Sequence, residues 1–326
     1  MSLNSFGANK ESTKNYFNES LVGKLEKLPV ELLPEKPNRP SADGEYTIEE
    51  LREKIPNGKI IACDFYLQGI EDGEDNNYGF VDLDRDIVNI DHHSPVLKMA
   101  KQISSTNLAL EYVKENGAVG SNAHVLISHT DCDSVLSSSI VRGILLPEDR
   151  FGVAAISADH TGEKNEIADL LQALGDKRDL SFSLRNLEKL LAGEQIDEEA
   201  LKLLEKRYED REKAREIVEN GNFEKIGSVY FTSVQEKIDG GLLPAVLPNA
   251  SVIVIGSPMK NDPSLWENKV RLGMNCPDGL TLDMLELPNF GGRWNAGSTK
   301  RKGGTKFSPR EYAELINNKI EGFKKA

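Results

Sequence analysis

Residues 84–95 read DRDIVNIDHHSP: a polar turn, the apolar run Ile87-Val88-Asn89-Ile90, then Asp91-His92-His93 ahead of Ser94-Pro95. The run reads as a buried strand whose end brings a carboxylate and two imidazoles to one spot. Such a mixed donor set suits a borderline divalent ion such as Mn²⁺, Fe²⁺, Co²⁺ or Zn²⁺ better than Ca²⁺, which prefers oxygen alone. The competing reading is a strand end whose histidines are merely solvated, so the rest of the chain has to decide.

All 5 histidines of the 326 residues (His92, His93, His124, His129, His160) fall in one segment, and four of them stand beside an Asp or one residue from it. Random placement would scatter them. Residues 124–142, HVLISHTDCDSVLSSSIVR, read as a strand, a polar cluster containing His129, Asp131, Cys132 and Asp133, then a helix opened by small residues. Residues 151–163, FGVAAISADHTGE, give another apolar run, read as a strand ending in Asp159-His160. KIIACDF at 59–65 ends a further run in Asp64. Four strands delivering acids and imidazoles at their ends predict a parallel α/β sheet with a site outside its carboxyl edge.

The chain resembles the DHH superfamily of metal-dependent phosphoesterases. Asp91-His92-His93 matches the name-giving triplet, and SSTNLALEYVKENG at 104–117 is similar to the Ser/Thr-rich helix that follows it. SHTDCDSVLSS resembles the His-x-Asp-x-Asp element, and ISADHTGE the last metal aspartate. KVRLG at 269–273 with NFGGRWNAGST at 289–299 looks like the Arg strand and Gly-rich loop of the associated DHHA1 domain, with Arg293 and Asn295 standing where the family has Gly-His and its neighbours. The order departs from the family, because the His-x-Asp-x-Asp element here follows the lone aspartate and the triplet. A metal site tolerates that if the strand ends are adjacent and the connections feasible. Asp64 is the choice for the lone aspartate, with Asp82 and Asp84 in GFVDLDRD as competitors.

The resemblance implies two divalent ions, with Mn²⁺ the best fit. His129 and Asp131 would hold one, Asp133 and His92 the other, with Asp64 and Asp159 shared between them. His93 would act on the leaving group, and Asp91 would orient a neighbouring histidine. Gly291, Gly292, Arg293, Asn295 and Arg271 would bind substrate: the glycines and Gly297 by letting the backbone approach a phosphate, the arginines by pairing with it, and Trp294 by stacking on a base. His160 reads equally as a contact or a structural histidine, Cys132 as a buried filler, and His124 has no role.

Length and composition (38% hydrophobic, 29% charged) predict two domains. They divide as an extended arm over 1–45 with prolines at 29, 34, 37 and 40, a metal-binding catalytic domain over 46–184, a charged helical connector over 185–222, and a smaller α/β domain over 223–326. A helix is predicted at 47–54, another in LTLDMLELP and another in SPREYAELINNKIEGF, while QGIEDGEDNN at 68–77 reads as a solvated acidic turn. No apolar stretch approaches a membrane span. The absence of a basic apolar leader and the 3 cysteines without paired spacing lead us to expect a soluble cytoplasmic protein. A net charge of −13 argues against tracking long duplex nucleic acid and favours a small phosphorylated substrate or short oligonucleotide, with Lys300, Arg301, Lys302 and Lys306 as a local basic exception. A homodimer stays open. The rival functions are an inorganic pyrophosphatase on the same scaffold and a nucleotide sensor without catalysis.

Overall fold

The run that ends in the triplet lies in the middle of a six-stranded sheet. The structure, a computed structural model, describes residues 16–17, 30–34, 46–70, 73–93, 103–234 and 238–325. Most of the expected 1–45 arm therefore lies outside the described residues. Its Val30–Leu32 forms strand β1, and Phe17 is buried in the core of the first lobe.

After the short β2 (Tyr46–Thr47), helix α1 (Ile48–Lys54) begins where the sequence predicts, stopped at its N-terminus by a Thr47/Glu50 capping box. Then come β3 (Lys59–Cys63), β4 (Leu67–Gln68), β5 (Glu74–Asn76), β6 (Gly79–Asp82) and β7 (Ile87–Ile90). The acidic stretch thus contributes β5, a charged edge strand, as well as a turn; its residues 71–72 lie outside the described residues. Helix α2 (Ser105–Asn116) leads to β8 (Ala123–Ile127), which runs into helix α3 (Cys132–Val141).

The sheet order is β1-β8-β3-β7-β6-β5. The first four strands run parallel, β6 runs antiparallel to β7, and β5 pairs antiparallel with β6. Strand β3 alternates its side chains between two cores: Ile61 and Cys63 enter the one built with α2 and α3, while Ile60 and Ala62 enter the one beneath α1. Burial on both faces explains why β3 and β7 are apolar without alternation. The consequence for the site is adjacency, since β8, β3 and β7 are neighbours and their carboxyl ends open at one edge.

Two readings of the sequence are corrected here. FGVAAIS is no strand: helix α4 (Asp149–Ile156) widens into a π-helical turn at Ser157–Thr161 that carries Asp159 and His160. Its buried residues Phe151, Ala154, Ala155 and Ala158 follow helical spacing, and Ala favours the helix. LTLDMLELP holds only the 3₁₀ turn Asp283–Leu285, because Leu280, Leu282, Leu285 and Leu287 all enter the core, a spacing no α-helix face provides.

Helices α5 (Glu166–Leu174), α6 (Leu180–Ala192) and α7 (Glu198–Glu219) follow. Leu180, Leu184 and Leu187 of α6 enter the core of the first lobe, so the residues at 185–192 pack with that lobe. The 22-residue α7 buries only Ala200, Leu204 and Ala214 and spans roughly 33 Å between the lobes.

The second lobe has β9 (Glu224–Ile226), β10 (Val229–Ser233), the single-turn α8 (Leu243–Val246), β11 (Val252–Pro258), β12 (Trp266–Leu272), β13 (Gly291–Gly292), β14 (Ala296–Ser298) and α9 (Pro309–Phe323), the last where the sequence predicts it. The strand order is β13-β14-β12-β11-β10-β9, with only β10 and β11 parallel. Helix α9 covers one face through Tyr312, Ala313, Ile316 and Ile320. The other face looks toward the first lobe. Among the described residues no helix is long and apolar enough to cross a membrane.

The turn from α6 to α7 rests on Asp197, which accepts from Lys189 Nζ at 2.6 Å and from Arg185 Nε at 3.0 Å. These donors hold its carboxyl down to about 2. A lowered folded-state value stabilises the fold above the ordinary carboxylate range and loses that contribution as pH falls through about 2. Thermal melts of Asp197→Ala should therefore lie a few degrees below wild type at pH 7, on the scale of about 1 kcal/mol. The gap should narrow from pH 4 downward.

Candidate metal centre and cleft

Asp64 follows β3 directly and adopts φ 59, a left-handed conformation that Asp tolerates better than most residues. Asn89, the polar residue inside the β7 run, makes that turn possible. Fully buried, it donates to the carbonyls of Ala62 (3.3 Å) and Phe65 (3.0 Å) and accepts from Leu67 N (3.1 Å), closing the backbone around Asp64. The Asp64 carboxylate then sits between two groups of side chains. Its Oδ2 lies 3.2 Å from His129 Nε2, which is also 3.2 Å from Asp131 Oδ2. Its Oδ1 lies 3.8 Å from both His92 Nε2 and His93 Nδ1, and His92 Nε2 lies 3.3 Å from Asp159 Oδ2. Two sets, Asp64-His129-Asp131 and Asp64-His92-His93-Asp159, each bring their donor atoms within 4.8 Å of one another.

The donors fit a divalent cation. Asp64 Oδ1 and His92 Nε2 are buried and, among the described residues, have no hydrogen-bond partner, although they face the same spot. Buried polar atoms are normally paired, and such carboxylates are costly without a counter-charge. Burial alone would lower His92, but Asp159, Asp133 and Asp64 override it and raise the imidazole to about 9. His129 is raised by Asp131 and Asp64 against the same burial penalty. Asp131, which burial would raise, is held well below the carboxylate range by His129.

Asp133 stands apart from both groups. It lies in the first turn of α3, 3.5 Å from His92 Nε2. Its oxygens accept from Ser105 N (2.7 Å), Thr106 N (2.6 Å) and Thr106 Oγ1 (2.5 Å), so the carboxylate caps the N-terminus of α2. Asp82 and Asp84 belong at the opposite end of the sheet, where Asp82 accepts from Arg85 N at 2.8 Å and pairs with its guanidinium. Cys132 is buried in the core of the first lobe. His124 pairs with Glu31 at 2.7 Å, away from the centre. His160 contacts the Ile103 carbonyl at 3.0 Å, and burial with His92 nearby lowers it to about 4.

The second lobe meets this centre directly. Arg293 Nη1 donates to His93 Nε2 at 2.6 Å; a guanidinium has no lone pair to offer, so that nitrogen is the acceptor and the ring proton sits on Nδ1. Nδ1 lies 2.9 Å from Asp91 Oδ1 without hydrogen-bond alignment. Burial, Arg293 and His92 all lower His93 well below the ordinary imidazole value. Arg271 donates to the Asp159 carbonyl. Gly162, at φ 65, closes the π turn so near the second lobe that a Cβ would lie 2.3 Å from the Gly241 carbonyl oxygen.

Between the lobes opens a cleft of ≈ 830 Å³ that reaches His93, Asp131 and Asp159 and is lined by Lys269, Arg271, Arg293, Asn295, Lys300 and Arg301. Gly291 and Gly292 do not line it. Strand pairing explains the glycines instead: a Cβ on Gly292 would meet Gly297 Cα at 2.3 Å, and one on Gly297 would meet Gly291 O at 2.6 Å. The loop is thus a tight hairpin in which Arg293 and Asn295 face the cleft. Trp294 does not stack in it. It is 3% exposed, enters the core of the second lobe, and donates to the His92 carbonyl at 3.3 Å. Sequence reasoning also missed Ser134, whose hydroxyl donates to Asp64 Oδ2 at 2.7 Å, and Ser128, 2.9 Å from His129 Nδ1. It missed Lys269 too, although alternation along β12 puts it on the same face as Arg271.

No family model matches the chain, and no curated protein does. Among solved structures, the chain is similar to the pGpG-specific phosphodiesterase PggH of Vibrio cholerae (12% identity, 66% of this chain and 88% of that one, TM-score 0.36). It is also similar to an exopolyphosphatase-related protein from Bacteroides fragilis (14% identity, 85% and 75%, TM-score 0.37). The side chains described above are the chain's own evidence of a site. They form a mixed α/β protein with a buried Asp/His centre able to hold metal.

Trp294→Ala should lower stability by about 3 kcal/mol or more, the cost of emptying a buried aromatic site, as read in denaturant melts. An unchanged melt would mean that the indole is not part of the core.

Proposed function

We propose that this chain is a metal-dependent phosphoester hydrolase acting on a small phosphorylated substrate, built on a DHH-type lobe with its metal motifs in permuted order and a DHHA1-like lobe that selects substrate. The observation that carries the reading is the Asp64 carboxylate, one oxygen toward His129 and Asp131 and the other toward His92 and Asp159, buried behind the Asp131, Asp159 and His93 that a cation-lined cleft reaches. Its volume is that of a pocket for a ligand of drug size, roughly 300–1,000 Å³.

In this reading His129 and Asp131 hold one divalent ion, His92 and Asp159 the other, and Asp64 serves both. Such a pair supplies an activated water and a clamp on phosphoryl oxygens. The protein does the rest. Arg271 and Arg293 orient the phosphoryl group from the second lobe. His93 turns its Nε2 toward the cleft and holds the Arg293 guanidinium there, so that Arg293 is the hydrogen-bond donor where a leaving oxygen would arrive. Asp91, 2.9 Å behind it, orients the ring. Ser134 and Asn89 hold Asp64 in place.

A second reading, inorganic pyrophosphatase, is favoured by one observation: Lys269, Arg271, Arg293, Lys300 and Arg301 converge on the same cleft. Assaying the Mn²⁺-loaded protein on a phosphodiester, a monoester and pyrophosphate separates the two. Metal-dependent turnover of the esters, absent from Asp64→Asn, is expected. No turnover of any of them with Mn²⁺, Fe²⁺ or Co²⁺ would remove the proposal.

Metal content offers a separate check. Elemental analysis after Mn²⁺ loading should find two ions per chain in wild type, about one in His129→Ala, and neither held stably in Asp64→Asn.

A further inference from the structure

Strand β12 presents an alternating face to the cleft. Asn268, Val270 and Leu272 turn inward and are buried, while Glu267, Lys269 and Arg271 line the cleft from i, i+2 and i+4. Arg271 stands at the metal end, bonded to the Asp159 carbonyl. Glu267 lies four residues farther out, roughly 13 Å along the strand. The cleft wall thus carries two positive charges and then a negative one as it leaves the centre.

Glu267 is not committed elsewhere. Its side chain is 18% exposed, Ser298 Oγ donates to Oε1 at a long 3.4 Å, and Lys300 Nζ approaches Oε2 only to 3.9 Å while itself 64% exposed. A carboxylate accepts hydrogen bonds and repels anions. A phosphate chain extending past Lys269 would bring negative charge against it, whereas a hydroxyl or amine would find an acceptor at the right end of the cleft.

We propose that Glu267 is a specificity residue that selects, beyond the phosphate held near Arg271 and Lys269, a hydrogen-bond-donating group such as a ribose hydroxyl or a base amine, and rejects a further phosphate. The inference rests on the hydrolase reading and deepens it. The substrate is then a nucleotide-type ester in preference to a linear polyphosphate.

The test is binding of pApA, its deoxyribose counterpart and tripolyphosphate to the full chain by calorimetry, alongside Mn²⁺-dependent turnover of the same three. Wild type should bind pApA at least tenfold more tightly than tripolyphosphate. Glu267→Gln should cut that preference about tenfold or more, by weakening the dinucleotide, strengthening tripolyphosphate, or both. Lys269→Met should weaken both ligands together. A deoxy dinucleotide that binds as poorly to wild type as pApA does to the variant would assign the donor to the ribose; an unaffected deoxy dinucleotide would assign it to the base. The proposal is overturned if wild type prefers tripolyphosphate, or if Glu267→Gln leaves the ratio unchanged or weakens both ligands equally, as a purely structural pairing with Lys300 would. Because binding needs no turnover, selective binding without hydrolysis would defeat the hydrolase reading alone, and hydrolysis without selectivity would defeat this one alone.

Discussion

Burying a carboxylate where it can face two groups of histidine and aspartate is the constraint around which the first lobe is arranged. Asp64 is fully buried with Asp133, Asp91 and His92 around it, and Asp131, Asp159 and His129 complete the surroundings. So many acids out of water repel one another and forgo hydration, a cost that hydrogen bonds only partly offset. Asp133 meets its share by capping α2. Asp64 has one hydroxyl donor on Oδ2, while among the described residues Oδ1 has no hydrogen-bond partner. A divalent cation would supply the counter-charge that this arrangement lacks. The left-handed backbone at Asp64 and the Asn89 bridge beneath it are the structural concessions that hold the carboxylate there.

The second lobe is joined to this constraint by contacts that reach the centre itself. Arg293 touches His93, Trp294 touches the backbone of His92, and Arg271 touches the backbone of Asp159. The same hairpin and strand that make these contacts also line the cleft. The contacts to the centre and the lining of the cleft therefore come from neighbouring residues on β12 and the β13–β14 hairpin. At the other side of the junction Arg207 and Arg211 of α7 reach Asp239 and Asp169, so the connecting helix ties both lobes together.

Much of the centre was legible because histidine and aspartate at strand ends are costly unless used. Asp64 could be preferred over Asp82 and Asp84 because it ends an apolar run with room for a connection before Asp91, whereas GFVDLDRD leads by a tight turn straight into IVNI; in the structure β7 pairs parallel with β3 and antiparallel with β6, which puts Asp82 at the other edge. The run at 151–157 was misread because a short apolar stretch has no period of its own; only its alanines and the 151-154-155-158 spacing betray a helix. Asp133 was read by its place in a pattern, and its capping of α2 depends on a tertiary contact that no local sequence encodes. Gly291 and Gly292 of FGGRWNAGS, which a phosphate loop would turn to its ligand, lie off the cleft and serve a close strand pairing, while Gly297 serves that pairing and also lines the cleft. The tryptophan within them is consumed by the core. The alternation Glu267-Lys269-Arg271, by contrast, was present in WENKVRL and went unread.

Anomalous diffraction from crystals loaded with Mn²⁺ tests the central claim most directly. The account predicts two peaks flanking the Asp64 carboxylate, one in contact with His129 and Asp131, the other with His92 and Asp159. Peaks confined to other carboxylates, or a single peak that leaves Asp64 without contact, would contradict it.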